Sequence, residues 1–468
     1  MPKVKLDNTA SAPPEYHLIL PDRKSSYLSG FSYINGRFQL FVQSKDVISK
    51  EIKVSIFEST DIINWTELKM ETVFSNREIP GSSSFINDVK NTSGLGTLSK
   101  PPVICIYSDL QSNTIKLSYS LDPGSTWEAY KKNPILSFAK SKVKSIYVFW
   151  HDPSARWILV VTLPTEFMIH FYSSKNLIKW DFLNDFGGHP SFKYSWENAF
   201  ICPISLQSTA GGTKWILVVT TKNDFSAVRY FVGEFDGKHF LCDHALDKVL
   251  LIDNNKDFLA PEHCTGLFPK RNLLMATAIN TVYADHLPQE GWKSMFTAPR
   301  EITLLKEADG SLRLSQRFAT ELQSIRANEQ SFEKSTITND LEWDLALSSA
   351  MEFELKIECN KICSIEFDFG AKTKIFVTWD VRKRLLSIDR TARPLGFHPD
   401  YNSFDSAPIS SGHTLQIHIL FDKYSIEVLA DNGKVSFTSL LFPINPLQRF
   451  RIIGKQFVAS GKVWQLIK

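Results

Sequence analysis

Long apolar runs are missing from this 468-residue chain: no stretch reaches the roughly 18 consecutive apolar residues that a membrane-spanning helix needs. The opening "MPKVKLDNTASAPPEY" also lacks the apolar core of an export signal, so the cytosol is the expected location and no membrane partner is expected. Cysteine is scarce. Cys105, Cys202, Cys242, Cys264, Cys359 and Cys363 fit buried reduced thiols rather than a disulfide framework. The one close pair, "CNKIC", lacks the second His/Cys cluster that a metal site would require. The sequons at Asn64 and Asn91 are expected to go unused without an export signal. No phosphate loop or nucleotide fingerprint occurs, so no cofactor is expected. Net charge is also small, 53 Lys and Arg against 50 Asp and Glu, with no basic block, which excludes a nucleic-acid partner on electrostatic grounds.

What is present is β-strand punctuation. From Tyr16 to about Leu305, short alternating runs rich in Val, Ile, Phe and Trp are separated by Asn-Gly, Asp-Gly, Pro-Gly and Gly-Gly signals. In "YLSGFSYINGRFQLFVQ", Phe38, Leu40 and Val42 alternate with Gln39, Phe41 and Gln43, and Asn35-Gly36 is the dipeptide of a type I′ hairpin. The punctuation repeats. "RWILVVT" at 156–162 returns as "KWILVVT" at 214–220, and "STDIINW", "SLDPGSTW" and "SKNLIKW" end at Trp65, Trp127 and Trp180. Spacings of 53 to 62 residues suit one four-stranded sheet per repeat, with about five between residues 16 and 320. Arranged radially, such sheets make a β-propeller with a central funnel, the alternative being a stacked pair of sandwiches.

After "QSIRANEQSFEKSTIT", which reads as a polar connector, further alternating strands such as "AMEFELKIE", "LQIHILFD" and "YSIEVLADNGKVSFTSL" suggest a β-sandwich. The expected all-β organisation is an N-terminal extension (1–15), a five-bladed β-propeller (16–322), a connector (323–338) and a C-terminal β-sandwich (339–468).

Several segments carry a family resemblance. "GRFQLFVQ", "SSSFINDVKNTSG", "KKNPILSF" with "VFWHDPSARW", "RYFVGEFDGKHF", "APREITL" and "ILFDKYSIEVLADNGKVSFTSLLFP" together resemble glycoside hydrolase family 32, closest to yeast-type invertases, over nearly the whole chain. The resemblance implies a funnel with three carboxylates: a nucleophile Asp in Trp-Met-Asn-Asp-Pro-Asn-Gly, a transition-state-stabilising Asp in Arg-Asp-Pro, and an acid/base Glu in Glu-Cys-Pro. Retaining hydrolysis needs one carboxylate to attack the anomeric carbon and another to protonate the leaving oxygen and then activate water.

Aligned without gaps from His17, the nucleophile position holds Tyr27, with Lys24 at the tryptophan, Leu28 at the proline and Gly30 at the final glycine. Arg-Asp-Pro becomes Lys144-Ser145-Ile146, and Val54 and Thr277 stand where the family has tryptophans. In "YSWENAFICPI", Glu197 takes the acid/base position and Asn198 the cysteine; a competing register puts Ile201 there instead. Glu197 is the expected acid/base residue, or an inherited acid bonded into the structure. Glu262 could supply a second carboxylate or be a solvated loop residue. Tyr27 reads as packing or ligand stacking, because the arginine cluster of a tyrosine-nucleophile sialidase is absent. Lys144 and Ser145 offer a hydroxyl beside a cation, or a polar wall. Gln43, Ser82 and Ser84 match substrate-binding positions and equally read as caps of the sheet. His151-Asp152-Pro153 reads as a turn.

The sequence therefore predicts an invertase-like propeller that does not hydrolyse sucrose by the family route. Its funnel is expected to bind a small molecule, with recruitment to non-hydrolytic intracellular chemistry such as secondary metabolism. A sugar-sensing or scaffold pseudoenzyme and an altered glycosidase using Glu197 remain alternatives, and whether the sandwich makes a homodimer stays open.

Overall fold

The computed structural model describes residues 13–468 apart from 21–22, 47–51, 69–73, 75–77, 123, 189–193, 208–210, 223–225, 270, 289–291, 393–396 and 444. Most of the expected extension 1–15 therefore lies outside the described residues, as does the Lys24 side chain. The chain is nearly all β. Five antiparallel sheets of four or five strands follow one another: blade I over 23–68, blade II over 80–137, blade III over 146–187, blade IV over 195–242 and blade V over 258–318. Each sheet starts at its inner strand: Arg23–Ile34, Pro80–Asn87, Ile146–His151, Ser195–Ser205 and Phe258–His263. These five strands touch in that order, and the last touches the first, so they close a ring around the funnel.

The repeat has a local cause. Where the third strand of blades I, II and III ends, a serine donates to an Asx residue two positions on: Ser59 to Asp61, Ser120 to Asp122 and Ser174 to Asn176, at 2.9, 2.8 and 3.2 Å. The Asx oxygen then caps the N–H groups of the following turn, which reverses the chain into the outer strand. Trp127 and Trp180 close the turn by donating Nε1 to the carbonyl three residues back.

Neighbouring blades bury both faces of each sheet, and that changes the reading of the first hairpin. Asn35 and Gly36 take φ of 52° and 81°, as a type I′ turn requires. Phe41, on the polar side of the alternation, is as fully buried as Leu40 and Val42, because its ring stacks on Phe85 of blade II at 3.5 Å. The ring closes through backbone bonds between the inner strands of blades V and I, Tyr33 N–H to Thr265 O at 2.8 Å and Thr265 N–H to Phe31 O at 3.0 Å.

Two six-stranded sheets form the C-terminal sandwich around Phe353, Phe367, Phe450 and Ile452. Cys359 and Cys363 are buried there as core thiols. The stretch expected as a connector is a strand: Arg326–Ile337 pairs with Phe457–Leu466 at the edge of one sheet. Its charged residues, among them Glu329, Glu333 and Lys334, face outwards, which keeps an unpaired edge from recruiting another strand and makes the segment look like a loop in sequence.

Propeller and sandwich meet across a seam of buried charge. Arg300 of blade V, wholly buried, donates to Glu427 at 2.6 Å, Asp253 at 3.2 Å, Ser436 and Thr438 at 2.6 Å, and Gln316 at 3.1 Å. His17 bridges Asp422 at 2.7 Å and Glu427 at 2.9 Å. Burial alone would lower the imidazole pKa, but its hydrogen bonds to Asp422 and Glu427 carry it up to about 9. A second knot joins Arg390 of the sandwich to Asp257 at 2.5 Å, with Tyr283 and Asn280 on the same carboxylate.

Candidate functional site

Of the sequence-predicted residues, Tyr27, Ser82, Ser84, Glu197 and Glu262 lie on inner strands, Gln43 on the second strand of blade I, and Lys144 and Ser145 just before the inner strand of blade III. Tyr27 lies half-buried on the inner strand of blade I, opposite Gln43 on the next strand. The backbone on either side is held from blade V: Ser26 N–H donates to Ser294 Oγ at 3.0 Å and Leu28 N–H to Thr277 Oγ1 at 3.2 Å. The Thr277 hydroxyl therefore acts as a strut. Gly30 lies against the stacked Phe41 and Phe85, where a Cβ would come within 3.3 Å of both rings.

The polar residues expected to touch ligand make bonds between or within blades. Gln43 Nε2 donates to Pro80 O at 2.9 Å, joining blades I and II. Ser82 and Ser84 Oγ accept the N–H groups of Ile146 and Val148 at 2.7 and 3.0 Å, joining blades II and III. Ser145 is almost fully buried and its Oγ lies 2.8 Å from Thr162 Oγ1, with its N–H on the same oxygen. Among the described residues no histidine or carboxylate contacts that hydroxyl, so nothing activates it as a nucleophile. His151-Asp152-Pro153 forms a turn, as expected, with Ala155 N–H donating to Asp152 O at 3.0 Å.

Glu197 sits at an irregularity in the pairing of the inner strand of blade IV, between Trp196 and Asn198, and its side chain is about a quarter exposed. Ser195 Oγ donates to its Oε1 at 2.5 Å, and Lys144 Nζ from blade III stands 3.6 Å from Oε2. Ile201, which the competing register puts at that position, is fully buried in the core shared by blades III to V.

Glu262 is not a solvated loop residue. It lies on the inner strand of blade V, where Asn198 Nδ2 approaches its Oε1 at 3.5 Å, and desolvation raises its carboxyl pKa to about 8. Beside it, Tyr147 OH stands 3.4 Å from His263 Nδ1, and His263 Nε2 stands 2.9 Å from Asn272 Oδ1. Asn272 Oδ1 can only accept, so Nε2 carries the imidazole proton and Tyr147 is the donor to Nδ1. Burial lowers the His263 pKa to about 4, which keeps the ring neutral. Phe200 packs between Tyr147 and His263, and the three rings span blades III to V below Glu197. The sequence reading assigned no site role to Asn198, Tyr147 or His263. Only the asparagine in place of a motif cysteine marked any of them.

Glu352, Glu354 and His418 offer a ligand-like cluster in the sandwich, but Arg326 already bonds both glutamates at 2.6 and 2.7 Å. Between blade V and the sandwich, a cleft of about 810 Å³ is lined by residues such as Arg317, Phe332, His418 and Lys462 and shares none with the funnel.

Residues 28–316 match the glycosyl hydrolases family 32 N-terminal domain, and residues 311–465 match the family 32 C-terminal domain. A levanase of Bacillus subtilis is 27% identical over 451 residues, 92% of this chain and 66% of the levanase, so the chain spans just under two thirds of that relative. An extracellular exo-inulinase of Aspergillus niger is 26% identical over 503 residues, 94% of this chain and 91% of the relative. The fructofuranosidase of Schwanniomyces occidentalis solved with fructose superimposes with a TM-score of 0.90 at 21% identity, covering 100% of both chains, which is a likeness of fold. With both domain models matched along almost its entire length, the chain belongs to glycosyl hydrolase family 32.

Proposed function

We propose that this family 32 chain no longer hydrolyses fructosides and that its funnel binds a small molecule, with Glu197 as its acid/base carboxyl. The reaction we assign to it is non-hydrolytic intracellular chemistry of the kind found in secondary-metabolite biosynthesis. The ungapped alignment, which puts Tyr27 and Ser145 at the two positions on which the family's covalent route depends, carries the reading, and the Ser145 hydroxyl, held against Thr162, agrees with it. Without an attacking carboxylate, the glycosyl-enzyme route has no first step. Binding is supported by Lys144 and Glu197, which pair and remain partly exposed, and by Tyr27, a half-buried ring on an inner strand that could stack on a ligand.

The engagement of Gln43, Ser82 and Ser84 in bonds between blades favours a second reading, a scaffold with no turnover. An unbiased metabolite comparison of cells with and without the protein, repeated with Glu197→Gln, separates the two. The enzyme reading expects metabolites that appear only with the wild-type chain and fall at least tenfold in the variant. A variant that restores the whole profile excludes proton transfer by Glu197.

A further inference from the structure

The two funnel carboxyls have opposite surroundings. Glu197 carries a cation on one oxygen and a hydroxyl donor on the other, from Lys144 and Ser195. Neither of its oxygens is left without a partner. Glu262 follows a backbone irregularity on the adjacent inner strand, at which Ala260 takes φ of 44°. Such irregularities re-aim a side chain. The groups about it are the Tyr147 phenol from blade III, the Asn198 carboxamide from blade IV and neutral His263 from its own strand. The thiols of Cys202 and Cys264, which lie near Tyr147, are held in their neutral form by burial. Arg271, which reaches towards Cys264, is committed to Glu321 at 2.5 Å and Glu301 at 3.6 Å. Among the described residues no cation pairs with Glu262.

We propose that Glu262 is the proton donor of the funnel, and that the ligand is an uncharged molecule presenting a carbonyl or ether oxygen to it. The inference rests on the funnel being a binding site, as proposed above. In the transfer the Glu262 O–H bond breaks and an O–H bond forms on the ligand oxygen. The carboxylate left behind accepts from Asn198 Nδ2, and neither oxidant nor reductant is needed. Burial around Glu262 keeps its proton available at neutral pH, which supports the geometric assignment. An uncharged ligand is assigned because the Lys144–Glu197 pair is internal: among the described residues of the rim no counter-charge is left over to replace the hydration that a charged ligand would lose.

Difference infrared spectroscopy of the full-length protein, titrated from about pH 5 to pH 10, tests the protonation assignment without any ligand. The expected result is a carboxylic-acid carbonyl band that ionises with a midpoint of about 8 in wild type and in Glu197→Gln and is absent from Glu262→Gln. A band that survives in Glu262→Gln, or no carboxyl titrating above about pH 6, overturns it. Glu262→Asp, which keeps a carboxyl on the same strand, serves if the glutamine variant does not fold. Its band should persist with a shifted midpoint, and an unshifted band overturns the assignment. The metabolite comparison supplies the functional readout. Glu262→Gln should reduce chain-dependent metabolites at least tenfold, with Glu262→Asp partly restoring them. If Glu262→Gln keeps the wild-type profile while Glu197→Gln loses it, the proton-donor role fails and the binding reading stands. If neither variant changes the profile, both fail.

Discussion

The seam between the domains and the rim of the funnel are both built from charged and polar side chains of β-strands, and the chain treats them in opposite ways. At the seam buried ionic groups meet counter-charges in the dry interior: His17 with Asp422 and Glu427, Arg300 with Glu427 and Asp253, Arg390 with Asp257. At the rim, among the described residues, the Lys144–Glu197 pair stays partly exposed, and desolvation shifts Glu262 towards its neutral form. Charge at the seam secures the architecture, whereas the pair at the rim stays open to solvent. Buried pairs fix geometry because removing one partner strands the other, whereas an exposed pair contributes little to stability and is free to change.

That contrast can be broken in graded steps. Arg300→Leu should have the largest effect, a loss on the order of 3–5 kcal/mol in denaturant unfolding, because Glu427 and Asp253 would be left buried without their guanidinium. Gly433→Ala comes next. Its φ is +76° and a Cβ would overlap the Gln316 carbonyl of blade V, so a loss of about 2–3 kcal/mol is expected. The His17 contribution depends on pH. Its folded pKa lies above 6.5, so the stabilisation is complete below about 6.5 and is lost as pH rises through about 9. Thermal unfolding of His17→Gln should therefore show a flatter pH dependence across that window than wild type.

Smaller effects are expected at the funnel. Ser84→Ala removes the acceptor for the buried Val148 N–H and should reduce stability by about 1–2 kcal/mol, read in the same denaturant experiment. Lys144→Met should change stability by less than about 1 kcal/mol, since it removes only a part-exposed pair. A Lys144 effect larger than that of Arg300 would erase the distinction between the two regions.

The fold was largely legible because its signals are local. The Asn35-Gly36 turn, the Ser/Asx turns before Trp127 and Trp180 and the alternating strands each depend on residues a few positions apart. The strand at 326–337 was not legible, because an edge strand that must discourage pairing carries the same polar composition as a linker. Ser82, Ser84 and Gln43 were recognised as positions but not as bonds, since their partners stand 37 to 64 residues away on the next blade. Glu262 read either as a second carboxylate or as a solvated loop residue, because its desolvation comes from groups far away in sequence, Asn198 among them. The Lys144–Glu197 pair was hidden in the same way: each residue stood out in its own motif, and only the ring brings them within 3.6 Å.

The central claim is that the funnel has lost fructoside hydrolysis while keeping its family framework. The most direct test is an assay of the purified chain against sucrose, inulin and raffinose, beside Glu197→Gln and the double variant Tyr27→Asp/Ser145→Asp. The account predicts no turnover above the blank for the wild-type chain. Robust wild-type turnover that Glu197→Gln abolishes would contradict it.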